Sequence, residues 1–193
     1  MTASFYFLSI LVFSYNYLYI HMDYFLNALP KTGTFSVVDW CNDNKIGIKC
    51  TMHHCYVERE HDTQKLVTIL RDPVDMFISA CRFMHMSVDK ALVSDHMFFK
   101  CVWEQTYFKC WEPDIVLDFE CLQEQWSMFI ENVVGVKNVC TKLPHLNRSK
   151  MVLDVTDIQL EQIQEHTAVN RLFYDRMMND PTKRVDKKTP TVT

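Results

Sequence analysis

Leu29-Pro30-Lys31-Thr32-Gly33-Thr34-Phe35-Ser36 decides the fold. It follows an apolar run, Tyr24 to Leu29, that reads as a buried strand, and it opens a helical pattern from Thr34 to Cys41. The chain has three glycines, Gly33, Gly47 and Gly135. Where glycine is this scarce, one inside a strand-to-helix turn answers a backbone need, either a positive φ or close approach of a ligand. The arrangement recurs downstream. Lys65 to Leu70 has the β-branched content of a central strand. Arg71-Asp72 follows, and then a helix from Val74 to Met86 with Pro73 at its favoured first position. A strand, a cationic turn and a helix N-terminus attract an anion, because free backbone N–H groups and the helix dipole converge there. Two such turns predict a ligand with two separated anionic groups.

Working outward, Lys45 to Cys50 reads as a second, short strand. Residues 88 to 112 read as helical, with Phe98, Phe99, Trp103, Tyr107, Phe108 and Trp111 as core anchors or as an acceptor lining. Asp114 to Phe119 is a further strand, Glu120 to Val133 an amphipathic helix, and Asp157 to Met178 the last helix. Pro181 to Thr193 is polar, carries Lys183, Arg184, Lys187 and Lys188, and reads as a disordered basic tail. Strands alternating with helices predict an α/β fold, a P-loop-like parallel sheet flanked by helices, with ligand at the C-terminal ends of the strands.

At 193 residues, 48% hydrophobic and 13% aromatic, the chain suffices for one domain with a sizeable core, taken as 23–180. A net charge of −4 provides no global basic field for nucleic acid, so an acidic ligand needs a local patch. Eight cysteines fit an oxidising lumen, and Cys101 with Cys110 is the first pairing to test. Cys50, His53, His54 and Cys55 lack a second well-spaced ligand pair, so no metal is expected. Residues 1–22 hold no Asp, Glu, Lys or Arg and are mostly apolar. They read as a signal anchor, with a buried strand or helix, a cleaved signal or an incomplete gene model as alternatives.

The two turns also carry a family resemblance. Pro30 to Ser36 resembles the 5′-phosphosulfate loop of sulfotransferases. Arg71, followed eight residues later by Ser79, resembles their 3′-phosphate motif. Val67 to Phe77 is similar to the Golgi carbohydrate sulfotransferases, in particular the galactose 3-O-sulfotransferase branch, as is the segment containing His53-His54. Leu143-Pro144-His145-Leu146-Asn147, Glu165-His166 and Phe173-Tyr174 resemble further segments of the group. The usual pattern has Arg and Tyr where this chain has Met76 and Cys81; the galactose branch shares the methionine.

The resemblance implies a sulfotransferase fold and the donor 3′-phosphoadenosine 5′-phosphosulfate (PAPS), with a carbohydrate hydroxyl as acceptor and no metal required. It implies a Golgi membrane protein with a lumenal catalytic domain. Lys31 would neutralise the leaving phosphate. Pro30, Thr32, Gly33, Thr34, Phe35 and Ser36 would complete the 5′ site, through backbone N–H groups from Thr32 to Phe35 and through the hydroxyls of Thr34 and Ser36. Arg71 and Ser79 would hold the 3′-phosphate. Arg71–Asp72 as a structural ion pair is the alternative; Arg148 and Lys150 read first as a solvated loop and are weaker candidates for donor phosphate contacts. His54, or His53 after it, would take the acceptor proton, with Glu58 and Glu60 as other bases. Asn147-Arg148-Ser149 fits a glycosylation sequon.

Two rivals remain at this level. An ATP-using P-loop kinase shares the architecture, but Lys31 precedes the loop glycine rather than following it. A catalytically degenerate glycan- or nucleotide-binding protein would keep the turns and lose turnover.

Overall fold

The computed structural model describes residues 24–27, 29, 31–50, 64–96, 99, 112–144 and 151–185. Its centre is a parallel sheet of three strands, β1 (Tyr24–Asn27), β3 (Lys65–Leu70) and β4 (Ile115–Asp118), with the two-residue β2 (Lys49–Cys50) added beside β1. The spatial order is β2-β1-β3-β4, with Leu26 opposite Val67 and Ile69 opposite Leu117. Both faces are covered, which is why these strands read as continuous apolar runs instead of alternating ones.

The side-chain period of two sorts the strands onto two cores. Tyr24, Leu26, Val67, Ile69, Ile115 and Leu117 share one face. On it lie α1 (Thr34–Asp43), through Val37, Trp40 and Cys41, and α4 (Leu122–Met128) with the π-helical turn Phe129–Val134 that continues it. Trp40 meets Trp126 edge-on at 5.4 Å, and its indole N–H donates to the Cys140 carbonyl at 2.7 Å. Leu70 and Val116 face the other way, against Met76 of α2 (Pro73–Met84) and Phe173 and Met177 of α6 (Ala168–Met178). A third cluster joins α2 to α3 (Val88–Leu92) and α5 (Asp157–His166) through Phe77, Cys81, Ala91 and Ile163.

The helices that follow β1 and β3 therefore lie on opposite faces. The chain leaves β1 toward β2 and leaves β3 toward β4, in opposite directions across the sheet. The gap between β1 and β3 is the point where a parallel sheet opens a crevice above its strand ends.

Several elements differ from the sequence reading. β2 is confined to its last two residues, because Lys45 takes φ 56° and Ile46 N–H returns to the Cys41 carbonyl at 2.9 Å. The helix expected from Glu120 to Val133 is three pieces: a 3-10 turn at Phe119–Cys121, then α4, then the π turn. The last helix breaks at Thr167, whose hydroxyl donates to the Ile163 carbonyl at 2.8 Å. Of the helical stretch expected over 88–112, α3 forms and the chain leaves helix at Val93; Phe99 is buried in the core as expected, and Phe98, Trp103, Tyr107, Phe108, Trp111, Cys101 and Cys110 lie outside the described residues.

The tail expected from Pro181 is structured through Val185. Arg184 bridges Val116 in parallel, Val116 N–H donates to the Lys183 carbonyl at 2.8 Å, and Val185 is buried. Lys183 also pairs with Glu112, so its charge serves the fold. Residues 1–22 lie outside the described residues, among which no helix is long and apolar enough to cross a membrane.

Candidate functional site

The turn after β1 is built by its own side chains. Thr32 is buried, and its hydroxyl donates to the Leu29 carbonyl at 2.9 Å and lies 3.1 Å from the Thr34 hydroxyl. Thr34 is buried too, its hydroxyl 3.4 Å from the same carbonyl. These two hydroxyls close the turn, which leaves backbone N–H groups as what Thr32 and Thr34 can present to a ligand. Lys31 sits at φ 61°, a left-handed conformation that costs a non-glycine residue about 1–2 kcal/mol. Gly33 follows at φ 78°. A β-carbon on Gly33 would meet Leu122 Cδ2 at 3.1 Å and Phe119 Cε2 at 3.2 Å. The glycine thus answers a positive φ and close packing by the protein's own side chains; the ligand-approach reading of it is not needed.

Arg71 leaves the end of β3 and crosses to this turn. Its Nη1 donates to the Lys31 carbonyl at 3.1 Å, and its guanidinium lies 4.3 Å from the centre of the Phe119 ring. Phe119 is the first residue beyond β4. The ends of β1, β3 and β4 therefore meet at one place, at the sheet's switch point. The Arg71 Nε is buried and has no hydrogen-bond partner.

The charges there are of both signs: Lys31, Arg71 and Arg82 with Asp72, Asp75 and Glu120 around them. Burial, and then the Arg71 cation, push the Lys31 ammonium below its usual pKa. Burial is also the main influence lowering Arg71; Asp75 and Glu120 oppose it, Arg82 adds to it, and Asp72 opposes it least of the three acids. Lys31 and Arg71 thus repel each other while partly removed from water, and an anion between them would relieve that, although Asp75, Glu120 and Asp72 already offset part of the Arg71 charge.

The two helix N-termini differ. The N-cap of α1, Gly33, provides no side-chain cap and its first turn holds no acid, so no capping side chain or first-turn carboxylate competes with an anion for the positive end of its dipole. The N-terminus of α2 is already served: Asp72 Oδ1 accepts from Val74 N–H at 2.9 Å and Asp75 N–H at 3.3 Å. Of the two helix-terminus anion sites expected, the first carries no side-chain cap and the second is capped by Asp72, so the second turn offers the Arg71 side chain instead of its N–H groups.

Ser79 is half-buried on α2. Phe83 lies one turn further along the same face, and the Lys31 Nζ rests 4.2 Å from the centre of its ring. Lys31 thereby reaches across to the helix that carries Ser79. Phe35 is exposed and Ser36 half-buried at the start of α1. Pro30, His53, His54, Glu58, Glu60, Arg148 and Lys150 lie outside the described residues. The structure adds Arg82, Phe83 and Phe119, which the sequence reading passed over. Phe83 is four residues after Ser79 and Phe119 directly follows a strand end, and both signals were present in the chain.

The alternative pairing of Arg71 with Asp72 takes a different form. Asp72 Oδ2 lies 2.5 Å from Arg171 Nη2, so its principal ionic partner is on α6. A hollow of about 600 Å³ on the outer side of α4 is lined by Glu120, Glu124 and Glu131 among others, and its charge is wrong for an anion. Among the described residues no cluster of three metal-ligating side chains occurs. Cys41 and Cys81 are buried, and Cys121 and Cys140 exposed. Comparison of the chain with protein-family models, with curated proteins and with solved structures gives no match to any of them.

Proposed function

We propose that this chain is a PAPS-dependent carbohydrate O-sulfotransferase of the Golgi lumen, on a sulfotransferase fold. The observation that carries the reading is the 3.1 Å hydrogen bond by which Arg71 joins two cationic strand-to-helix turns at the switch point of a parallel sheet. A donor with phosphates at both its 5′ and 3′ positions suits two such turns.

In sulfuryl transfer the bond from sulfur to the phosphate oxygen breaks, and sulfur bonds to the acceptor oxygen. The phosphate departs with added negative charge, and the acceptor hydroxyl loses its proton to a base. Lys31 and the uncapped N-terminus of α1 would stabilise the departing charge, because fixed donors there cost no reorganisation as that charge develops. Arg71 would fork onto the 3′-phosphate, with Ser79 adding a hydroxyl. His54 is assigned as the base and His53 as second choice, on the resemblance of their segment.

Replacing Arg71 by alanine should weaken binding of adenosine 3′,5′-bisphosphate, the desulfated product, about ten- to a hundredfold, since a charge-assisted contact contributes about 1.5–3 kcal/mol. Lys31→Ala should abolish transfer. Calorimetry on the full chain measures the first effect and radiolabelled sulfate transfer the second. Unchanged affinity in Arg71→Ala would remove the 3′-phosphate assignment.

A second reading is supported by the position of the Lys31 ammonium, which rests on Phe83. On that reading the chain binds the nucleotide or a glycan without turnover. Bisphosphate binding without transfer to galactosides, glycosaminoglycans or glycolipids would favour it.

A further inference from the structure

Asp72 occupies an awkward place for an anion site. It directly follows Arg71, and an acid there can neutralise the guanidinium or repel an incoming phosphate. The fold engages both of its oxygens elsewhere. Oδ1 caps α2 through the N–H groups of Val74 and Asp75. Oδ2 is held by Arg171 Nη2 at 2.5 Å, across ninety-nine positions of sequence. Arg171 is itself fixed on α6, with Nη1 3.8 Å from Asp175 Oδ1 and its guanidinium over the Tyr174 ring at 5.3 Å. Arg71, meanwhile, points toward the Lys31 carbonyl and Phe119.

We propose that Arg171 is a positioning residue that partitions the charges of the site: by holding and cancelling Asp72, it keeps Arg71 available to an anion. Arg171 acts through Asp72 and need not touch the ligand. The inference rests on the anion-binding role of Arg71 given above, and it places one determinant of donor affinity on the C-terminal helix.

The test uses the full chain and adenosine 3′,5′-bisphosphate as probe. Arg171→Gln should weaken binding about three- to tenfold, the effect of one uncompensated charge in a partly exposed setting. Adding Asp72→Asn, which removes the released charge while asparagine can still cap α2, should return affinity to within about twofold of wild type. The same Asp72→Asn change made with Arg171 present should gain less. Arg171→Lys, which keeps the charge, should stay near wild type. A merely structural role for Arg171 would not be rescued by removing its partner, so failure of the double variant to recover overturns the proposal. So does an unchanged affinity in Arg171→Gln.

A readout without ligand separates this inference from the donor reading. The stability coupling between Arg71 and Asp72, taken from a double-mutant cycle with Arg71→Gln and Asp72→Asn, should be small with Arg171 present and attractive in Arg171→Gln. If wild type fails to bind the bisphosphate while that coupling emerges, the donor reading falls and the partition stands. If no coupling emerges, the partition falls.

Discussion

Cys81 is fully buried on α2, and burial pushes its thiol up to about 11. At pH 8 roughly one such thiol in a thousand is ionised, and the thiolate is the reactive form. Cys41 is buried as well, against the sheet, whereas Cys121 and Cys140 are exposed. Iodoacetamide at pH 8 should therefore label Cys121 and Cys140 in the native chain, and label Cys41 and Cys81 only after unfolding, as read by peptide mass spectrometry. Native labelling of Cys81 would show that α2 opens readily. The same burial suits a cysteine here, because a tyrosine at this position would bring its hydroxyl into an apolar cluster of Phe77, Ala80, Val88 and Ala91. At the same scale, Lys31 and Gly33 were legible as site residues, because a cation and a rare glycine in one turn are visible in any reading of the chain. The inward use of the Thr32 and Thr34 hydroxyls was not, since a threonine in sequence carries no direction.

The turn that sets up α1 can be compared with the one that ends the π segment after α4. Gly33 and Gly135 have nearly the same backbone, φ 78° and φ 80°. Their surroundings differ: a β-carbon at 33 presses on Leu122 and Phe119, and at 135 it meets nothing within 4 Å. Gly135→Ala should cost about 1–2 kcal/mol for the left-handed conformation alone. Gly33→Ala should cost about 1–3 kcal/mol more, from overpacking. Urea midpoints of the two variants give the comparison, and equal losses would mean that Leu122 and Phe119 yield freely. Elements were legible in proportion to how much local chemistry marks them. β3 matches its expected span of Lys65–Leu70, an apolar run between Gln64 and Arg71. α2 starts where Pro73 predicts. The break at Thr167 was hidden, because no proline or glycine announces it and a threonine bonding back to Ile163 acts from within a helical pattern. The π turn after Met128 was hidden for a like reason, since its apolar residues keep a near-helical period.

At the scale of the molecule, the candidate site draws on chain segments far apart. The turn after β1, the arginine after β3 and the phenylalanine after β4 meet there, and α6 reaches Asp72 from the C-terminal end. Such a convergence is set by strand order and cannot be read from local pattern; the sequence predicted a site at strand ends, and the parallel order β2-β1-β3-β4 determines which ends meet. A ligand held by segments this distant stabilises the fold as a whole, because it binds the native state and the unfolded chain offers no such assembly. At a hundred times its dissociation constant it should add about 2.7 kcal/mol. For a chain of 193 residues each kcal/mol shifts Tm by about 2–4 °C, so the rise should be about 5–10 °C. Adenosine 3′,5′-bisphosphate should produce that rise in thermal denaturation of the full chain. ATP with magnesium should produce much less, because it lacks a 3′-phosphate for Arg71 and no GxxxxGK[ST] loop awaits its γ-phosphate. The rise should shrink in Arg71→Ala, by an amount that follows its weaker affinity at the same ligand concentration. A larger shift with ATP and magnesium than with the bisphosphate would move the chain to the P-loop kinase class, and a shift indifferent to Arg71 would place the ligand elsewhere in the sheet.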